Sequence, residues 1–324
     1  MKILRFLFLL LPVSLLAADP VSEMAEFSVF GKVDPAELAK GSIKTAAGAA
    51  MSNPRYLSVQ SCFIVPKAPA QVLAAMKHYD PTAHRENVFL HSELRSAPSA
   101  GDFSKLSNPP SNAAVKALSA ATEKMSPDLQ LSQAEAKTFS PGQPVFDFWR
   151  NILVKRAQSF VSGGAAAEAP YDHSRNPVQP GKEFAGLVRQ QAKINHQFGG
   201  FLNSTGLLGG RGSLPPSLYW ELLQVEDTGV VALGASYDRT TAGGGAQVAD
   251  GIFYASGGFN VALTLYQLWP IDVGGRASTL VWRGDLISAN SLGDLHGIER
   301  LGAESAMRKD ILKAATTFQR DIAR

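Results

Sequence analysis

The chain has almost no cysteine: Cys62 stands alone in 324 residues. A single thiol cannot close an internal disulfide, so the fold has to rest on its core. Cys62 sits in an apolar, strand-like run, which makes it a small core residue rather than a nucleophile. Charge is sparse as well. Asp, Glu, Lys and Arg make up 18% of the residues, and the formal net charge is +3. No long Lys/Arg run is present, which argues against a nucleic-acid partner. Peripheral contact with an anionic membrane is permitted by this charge without being implied. The 45% of hydrophobic residues is a globular share.

The common catalytic signatures are missing too. There is no Gly-x-Ser-x-Gly elbow, no His-Glu-x-x-His and no phosphate-binding Gly-x-x-x-x-Gly-Lys. Gly210-Arg211-Gly212 lacks both a third glycine and a preceding strand, and reads as a loop. Histidine is scarce: His78, His84, His91, His173, His196 and His296. His78 and His84 flank Pro81 at no standard ligand spacing, and Asp172-His173 falls in a Pro-rich loop, so neither a metal nor another cofactor is expected.

What is present begins at the first residues. Lys2 and Arg5 precede an apolar run from Phe6 to Leu16, and Ala17-Ala18 then lead into Asp19-Pro20. A charged start, a short apolar centre and a small-residue exit make residues 1–18 a secretory signal peptide. The run of about 11 residues falls short of the roughly 20 that span a bilayer. Leu16 stands where a small residue is preferred, and an uncleaved anchor is the alternative. The expectation is a periplasmic or secreted protein comprising residues 19–324, long enough to bury a full core without covalent staples.

Local patterns place the elements. Asp34-Pro35 starts a short helix. Leu57, Val59, Phe63 and Val65 share one face of a strand over 55–65, broken at Ser61. Pro66 stops that strand, and a helix starts at Pro69. A second strand is expected over 87–95. Residues 96–216 differ in composition, rich in Ala, Ser, Gly, Pro and Gln, with helices expected at 111–125, 144–161 and 181–198. They read as a helical insert, a separate domain being the alternative. The last third is strand-rich: 218–225, 230–237, 259–269 and 279–288, separated by Gly, Asn and Asp as antiparallel connections require. One long helix from about Gly293 to Ala323 closes the chain. Ile311, Ala315, Phe318 and Ile322 form its apolar stripe, which must pack on something, and the sheet is the nearest candidate.

The stretch from Leu57 to Val72, an apolar strand followed by Pro69-Ala70-Gln71-Val72, resembles the opening strand and helix start of the START-like (helix-grip, SRPBCC) superfamily. The stretch from Gly258 to Ile322 is similar to that superfamily's last two strands and gripping helix. The likeness covers about half of the mature chain, and within it the chain looks most like exported bacterial proteins that share this frame. The insert at 96–216 departs from the compact pattern. The resemblance implies an α+β fold, a curved antiparallel sheet gripping a long C-terminal helix. It also implies binding of a hydrophobic or amphipathic small molecule such as a lipid. Superfamily members bind lipids, sterols, polyketides or plant hormones, and a few are enzymes; no universal catalytic residue carries over.

A sheet gripping one helix leaves an apolar hollow, and such hollows are default ligand sites. Tyr254, Tyr266 and Trp269 are candidates to line it, although aromatic strand residues also serve as plain core. Arg283 and Asp285 alternate onto one strand face: turned inward they would orient a polar headgroup, turned outward they form a surface pair worth at most about 1 kcal/mol. His296 and Glu299, three apart at the start of the last helix, either point to the hollow or cap the helix. Two other functions stay open: an envelope scaffold with a filled interior, and an enzyme using His296, Asp285 and Arg283 on a bound hydrophobic substrate.

Overall fold

The computed structural model describes residues 19–173 and 176–323. The expected signal peptide lies outside these residues. The fold is α+β, built on one open, curved sheet of eight strands. In chain order these are β1 (Lys44–Ala47), β2 (Tyr56–Val65), β3 (Val88–Glu93), β4 (Ser217–Val225), β5 (Thr228–Thr240), β6 (Ala246–Ala255), β7 (Val261–Val273) and β8 (Arg276–Ser288). They lie in the order β1-β2-β8-β7-β6-β5-β4-β3 with antiparallel neighbours throughout. The β7–β8 hairpin turns on Gly274-Gly275, with φ of 61° and 81°. A two-residue hairpin that needs positive φ at both central positions selects glycine there.

Both faces of the sheet carry buried side chains, for two different reasons. Toward one face, which we call the insert face, point Trp220 and Leu222 of β4, Leu233 of β5, Leu263 and Leu265 of β7, and Trp282 of β8. The helices of the insert cover that face: Ala113–Glu123, Val145–Gly163, Pro180–Arg189 and Ala192–Leu202 contribute Leu118, Trp149, Phe160, Phe184, Phe198 and Phe201 to the same core. An N-terminal helix, Pro20–Phe27, joins them. Asp19 caps it through a bond from Ser22 N at 3.0 Å, and Phe27 packs edge-on against Trp282 at 4.8 Å.

The opposite, grip face carries the terminal helix, Gly297–Ala323. Ile311, Ala315, Phe318 and Ile322 are all buried; Ala315, Phe318 and Ile322 pack with Phe63 and Val65 of β2, Leu268 of β7 and Val281 of β8, while Ile311 borders the cavity. The stripe read from the sequence therefore does what its spacing requires. The helix runs beside β2: Arg300 donates to the carbonyl of Tyr56 near one end, and Gln319 Nε2 donates to Ile64 O at 2.8 Å near the other. Helix Pro69–Lys77 packs into the same cluster through Val72. Among the described residues, no helix is long and apolar enough to cross a membrane.

Some local expectations are corrected. The stretch 181–198 is two helices, broken at Gln190-Gln191, where Gln191 Nε2 donates to Ala49 O at 2.8 Å. The apolar periodicity continues across the break, so the sequence shows a single stripe. The last helix begins at Gly297, after a separate turn over Asn290–Gly293. β1 and β6 carried no signal, because β6 (Ala-Gln-Val-Ala-Asp-Gly-Ile-Phe-Tyr-Ala) is mostly small and buried on both faces.

Candidate functional site

A cavity of about 1780 Å³ lies mainly on the grip face, between the sheet and the terminal helix, and extends to Phe160, Val161 and the connection 211–216. The helix wall is Met307, Ile311, Ala314 and Phe318; the connection after Pro69–Lys77 adds His78, Tyr79, His84 and Arg85. At the rim, Lys313 Nζ meets Glu86 Oε2 at 2.8 Å, an exposed pair that links helix and loop.

Strand register explains the floor. Ser236, Asp250, Thr264 and Asp285 form one row across β5, β6, β7 and β8. Val248, Tyr266 and Arg283 form the row beside it. On the far side of the Asp250 row lies an apolar row, Ile252, Ala262 and Ile287, continuous with Leu223, Val230 and Phe259. Beyond the Arg283 row lies the apolar cluster filled by Phe318 and its neighbours. The floor is thus a polar band between two apolar flanks. The hollow expected to be apolar is crossed by charge.

Arg283 is anchored within that band. Its Nε and Nη2 donate to the two carboxylate oxygens of Asp285 at 2.8 and 2.6 Å, and its guanidinium lies 5.6 Å from the Tyr266 ring centre. Thr264 Oγ1 donates to Asp285 at 3.0 Å. Burial opposes the Arg283 charge, but Asp285 outweighs it and holds the guanidinium above its ordinary pKa. Such a bidentate pair is geometrically fixed. Burial also pushes the Tyr266 hydroxyl up to about 12, so it stays a phenol.

Three residues that the sequence reading passed over complete the band. Tyr219 of β4 lies across Gly234 of β5 and donates to Asp250 Oδ1 at 2.9 Å. A Cβ on Gly234 would sit 2.1 Å from the Tyr219 ring, so the reach depends on glycine. Glu221 of β4 is buried, 3.5 Å from both Arg85 Nη1 and His91 Nδ1. Burial raises Asp250 to about 6, with the Tyr219 hydrogen bond working against the rise. Asp250 is enclosed by protein on most sides yet keeps some surface open to the cavity. The signal was available in β4, where Tyr219 and Glu221 alternate with the apolar Leu218, Trp220 and Leu222. In β6 no alternation marked Asp250.

Of the six candidate ligand residues, the structure brings together Tyr266, Arg283 and Asp285 in the cavity. Tyr254 and Trp269 do not line it. Both are buried on the insert face. Trp269 follows the odd-numbered parity of β7 and donates Nε1–H to Glu23 at 2.9 Å. Tyr254 is displaced by a β-bulge. Leu233 pairs with Tyr254 but the next residue, Gly234, pairs with Ile252, leaving Phe253 as the extra residue. A bulge reverses side-chain parity beyond it, so Phe253 and Tyr254 both enter the insert core while Ala255 turns to the grip face. There the Arg156 guanidinium stands 4.6 Å from the Tyr254 ring centre. His296 is exposed ahead of the terminal helix and is not part of the cavity wall.

Among the described residues, no three His, Cys, Asp or Glu side chains converge as metal ligands. Cys62 is buried in the insert core, and burial pushes its thiol up to about 12, which makes it inert. Neither a scan against protein-family models nor a search of curated proteins finds a match for this chain.

Proposed function

We propose that this chain is an exported, START-like binding protein that carries an amphipathic small molecule, with lipids the leading class, between its sheet and its terminal helix. The observation that supports this most is the cavity of about 1780 Å³, whose floor sets a polar band beside the apolar row Ile252, Ala262 and Ile287. Ligand cavities of small-molecule binders are mostly apolar with a few placed polar groups that fix orientation. Here the apolar row takes a hydrocarbon portion and the band takes a headgroup. A wholly hydrophobic ligand fits less well, because it would strip water from Asp250, Glu221 and Arg283 without replacing its hydrogen bonds.

Native mass spectrometry of the gently purified protein tests this reading, together with displacement of a fluorescent fatty acid. A co-purified amphiphile, or saturable binding of the probe, is the expected result. A bare chain in every preparation, with no probe binding, overturns it.

A further inference from the structure

Resting on that reading, we infer that the headgroup end of the cavity is a site for a protonated amine, held by Asp250. The argument is one of charge and of donor supply. Arg283 is answered by Asp285 through two hydrogen bonds, and Arg85 faces Glu221 at 3.5 Å. Asp250 has no cation of its own; among the described residues its one hydrogen-bond donor is the Tyr219 hydroxyl. With Glu221, Asp285, Arg85 and Arg283 paired off, and His91 beside Glu221, the deep floor is left with one surplus carboxylate.

Two of the three hydroxyls around Asp250 have already spent their protons; the third, Ser236 opposite it on β5, makes no side-chain hydrogen bond among the described residues and can donate or accept. Tyr219 donates to Asp250, and Thr264, the residue opposite Asp250 on β7, donates to Asp285. A hydroxyl has one proton and two acceptor lone pairs, so both oxygens can now only accept. Asp250 and the Tyr219 and Thr264 oxygens together form a patch of acceptors, to which the Ser236 hydroxyl can add a lone pair. An ammonium group offers three donors and no acceptor, and it matches that patch in charge and in hydrogen bonding. The Ile252, Ala262 and Ile287 row starts one residue along each strand's cavity face from Asp250, Thr264 and Asp285. An alkyl chain attached to the amine runs along it. The ligand class is a cationic amphiphile.

Isothermal calorimetry of the protein at pH 7.5 with dodecylamine, dodecanol and dodecanoate, each below its micelle concentration, tests the inference. Dodecylamine is expected to bind at least tenfold more tightly than dodecanoate. Asp250→Asn is expected to erase that preference while leaving dodecanol binding within about twofold. Dodecanoate binding as tightly as dodecylamine overturns the amine site and leaves the carrier standing, as does a preference that survives in Asp250→Asn. Binding of none of the three overturns both.

Discussion

Tyr219 reaches Asp250 across a strand that lies between them, and Gly234 is the residue that lets it pass. The hydroxyl of Tyr219 on β4 donates to Asp250 on β6 at 2.9 Å, over the bare backbone of Gly234 on β5. A methyl group there would stand 2.4 Å from the hydroxyl oxygen. The bond orients Asp250, a floor carboxylate with no ion pair among the described residues, so a backbone vacancy sets the chemistry of the cavity.

Gly234→Ala should therefore cost about 1–3 kcal/mol of stability, the range for overpacking a filled site. The cost should largely disappear in a Tyr219→Ala background, where no ring crosses the strand. Urea denaturation of the four members of this double-mutant cycle gives the coupling directly. An equal penalty in both backgrounds would show that the strain lies elsewhere.

Asp250 gives a pH signature. Burial lifts its folded pKa from 3.8 to about 6; Glu221 adds to the rise, while Tyr219, Arg85 and Arg283 oppose it. A carboxyl group raised on folding binds its proton more tightly in the native state. Its effect is neutral below about pH 4 and becomes destabilising as pH climbs toward 6. Asp250→Asn removes that loss. The variant should match the parent in stability at pH 4 and exceed it at pH 7.5 by at most about 3 kcal/mol, at 1.36 kcal/mol for each unit. Denaturant midpoints at the two pH values check this, and a gap that narrows with rising pH refutes it.

The terminal helix is held by few large contacts. Phe318 meets Phe63 edge-on at 6.2 Å and lies within 6.3 Å of the Tyr79 and Tyr266 rings. Phe318→Ala should cost roughly 3–5 kcal/mol and speed amide hydrogen exchange in the second half of the helix. Leu312, 39% exposed on the outer side, should lose under about 0.5 kcal/mol on the same truncation. Equal effects at the two positions would mean that the helix is not gripped through this stripe.

The insert face supplies a control for the cavity. The Tyr254 hydroxyl is buried there with no hydrogen-bond partner among the described residues. Tyr254→Phe removes an unsatisfied group and should leave stability unchanged or raise it by about 1 kcal/mol. It should not alter dodecylamine or dodecanol affinity, since the sheet separates the side chain from the cavity. A change of more than threefold in either affinity would place Tyr254 in communication with the site.

Arg156, on the same face, binds both oxygens of Glu135 at 2.7 and 2.6 Å and reaches Glu168 at 3.3 Å. Burial pushes Glu168 up to about 8 even beside this cation. Removing the guanidinium leaves the half-buried Glu135 carboxylate without its cation and the buried Glu168 acid without its partner. Arg156→Ala should cost about 3–5 kcal/mol, read by thermal denaturation. A loss below 1 kcal/mol would show that water already reaches the cluster.

Much of the frame was legible because it follows from periodicity. Leu57, Val59, Phe63 and Val65 alternate, Ile311 to Ile322 repeats every three or four residues, and Gly274-Gly275 fixes a hairpin; each is a local rule that the fold obeys. The candidate site was legible only in part. Tyr266, Arg283 and Asp285 sit on strands with undisturbed alternation, so their shared face could be read. Tyr254 could not be placed, because the bulge at Phe253 reverses parity and is defined only by pairing with β5. Asp250 went unnoticed because nothing in β6 marks it, whereas Tyr219 and Glu221 alternate visibly with Leu218, Trp220 and Leu222 and only their partners across the sheet were hidden.

The sequence by itself determined most of the strands and helices, though not β1, β6 or the break at Gln190-Gln191, and which apolar stripe the last helix must bury, since these depend on neighbours within a few residues. Only the tertiary structure decided which sheet face the insert covers, that the opposite face keeps an open hollow, and that Asp250 stands there without a cation. Those outcomes depend on register and on contacts between residues far apart in the chain, where one extra residue in one strand sends a side chain to the other side of the sheet.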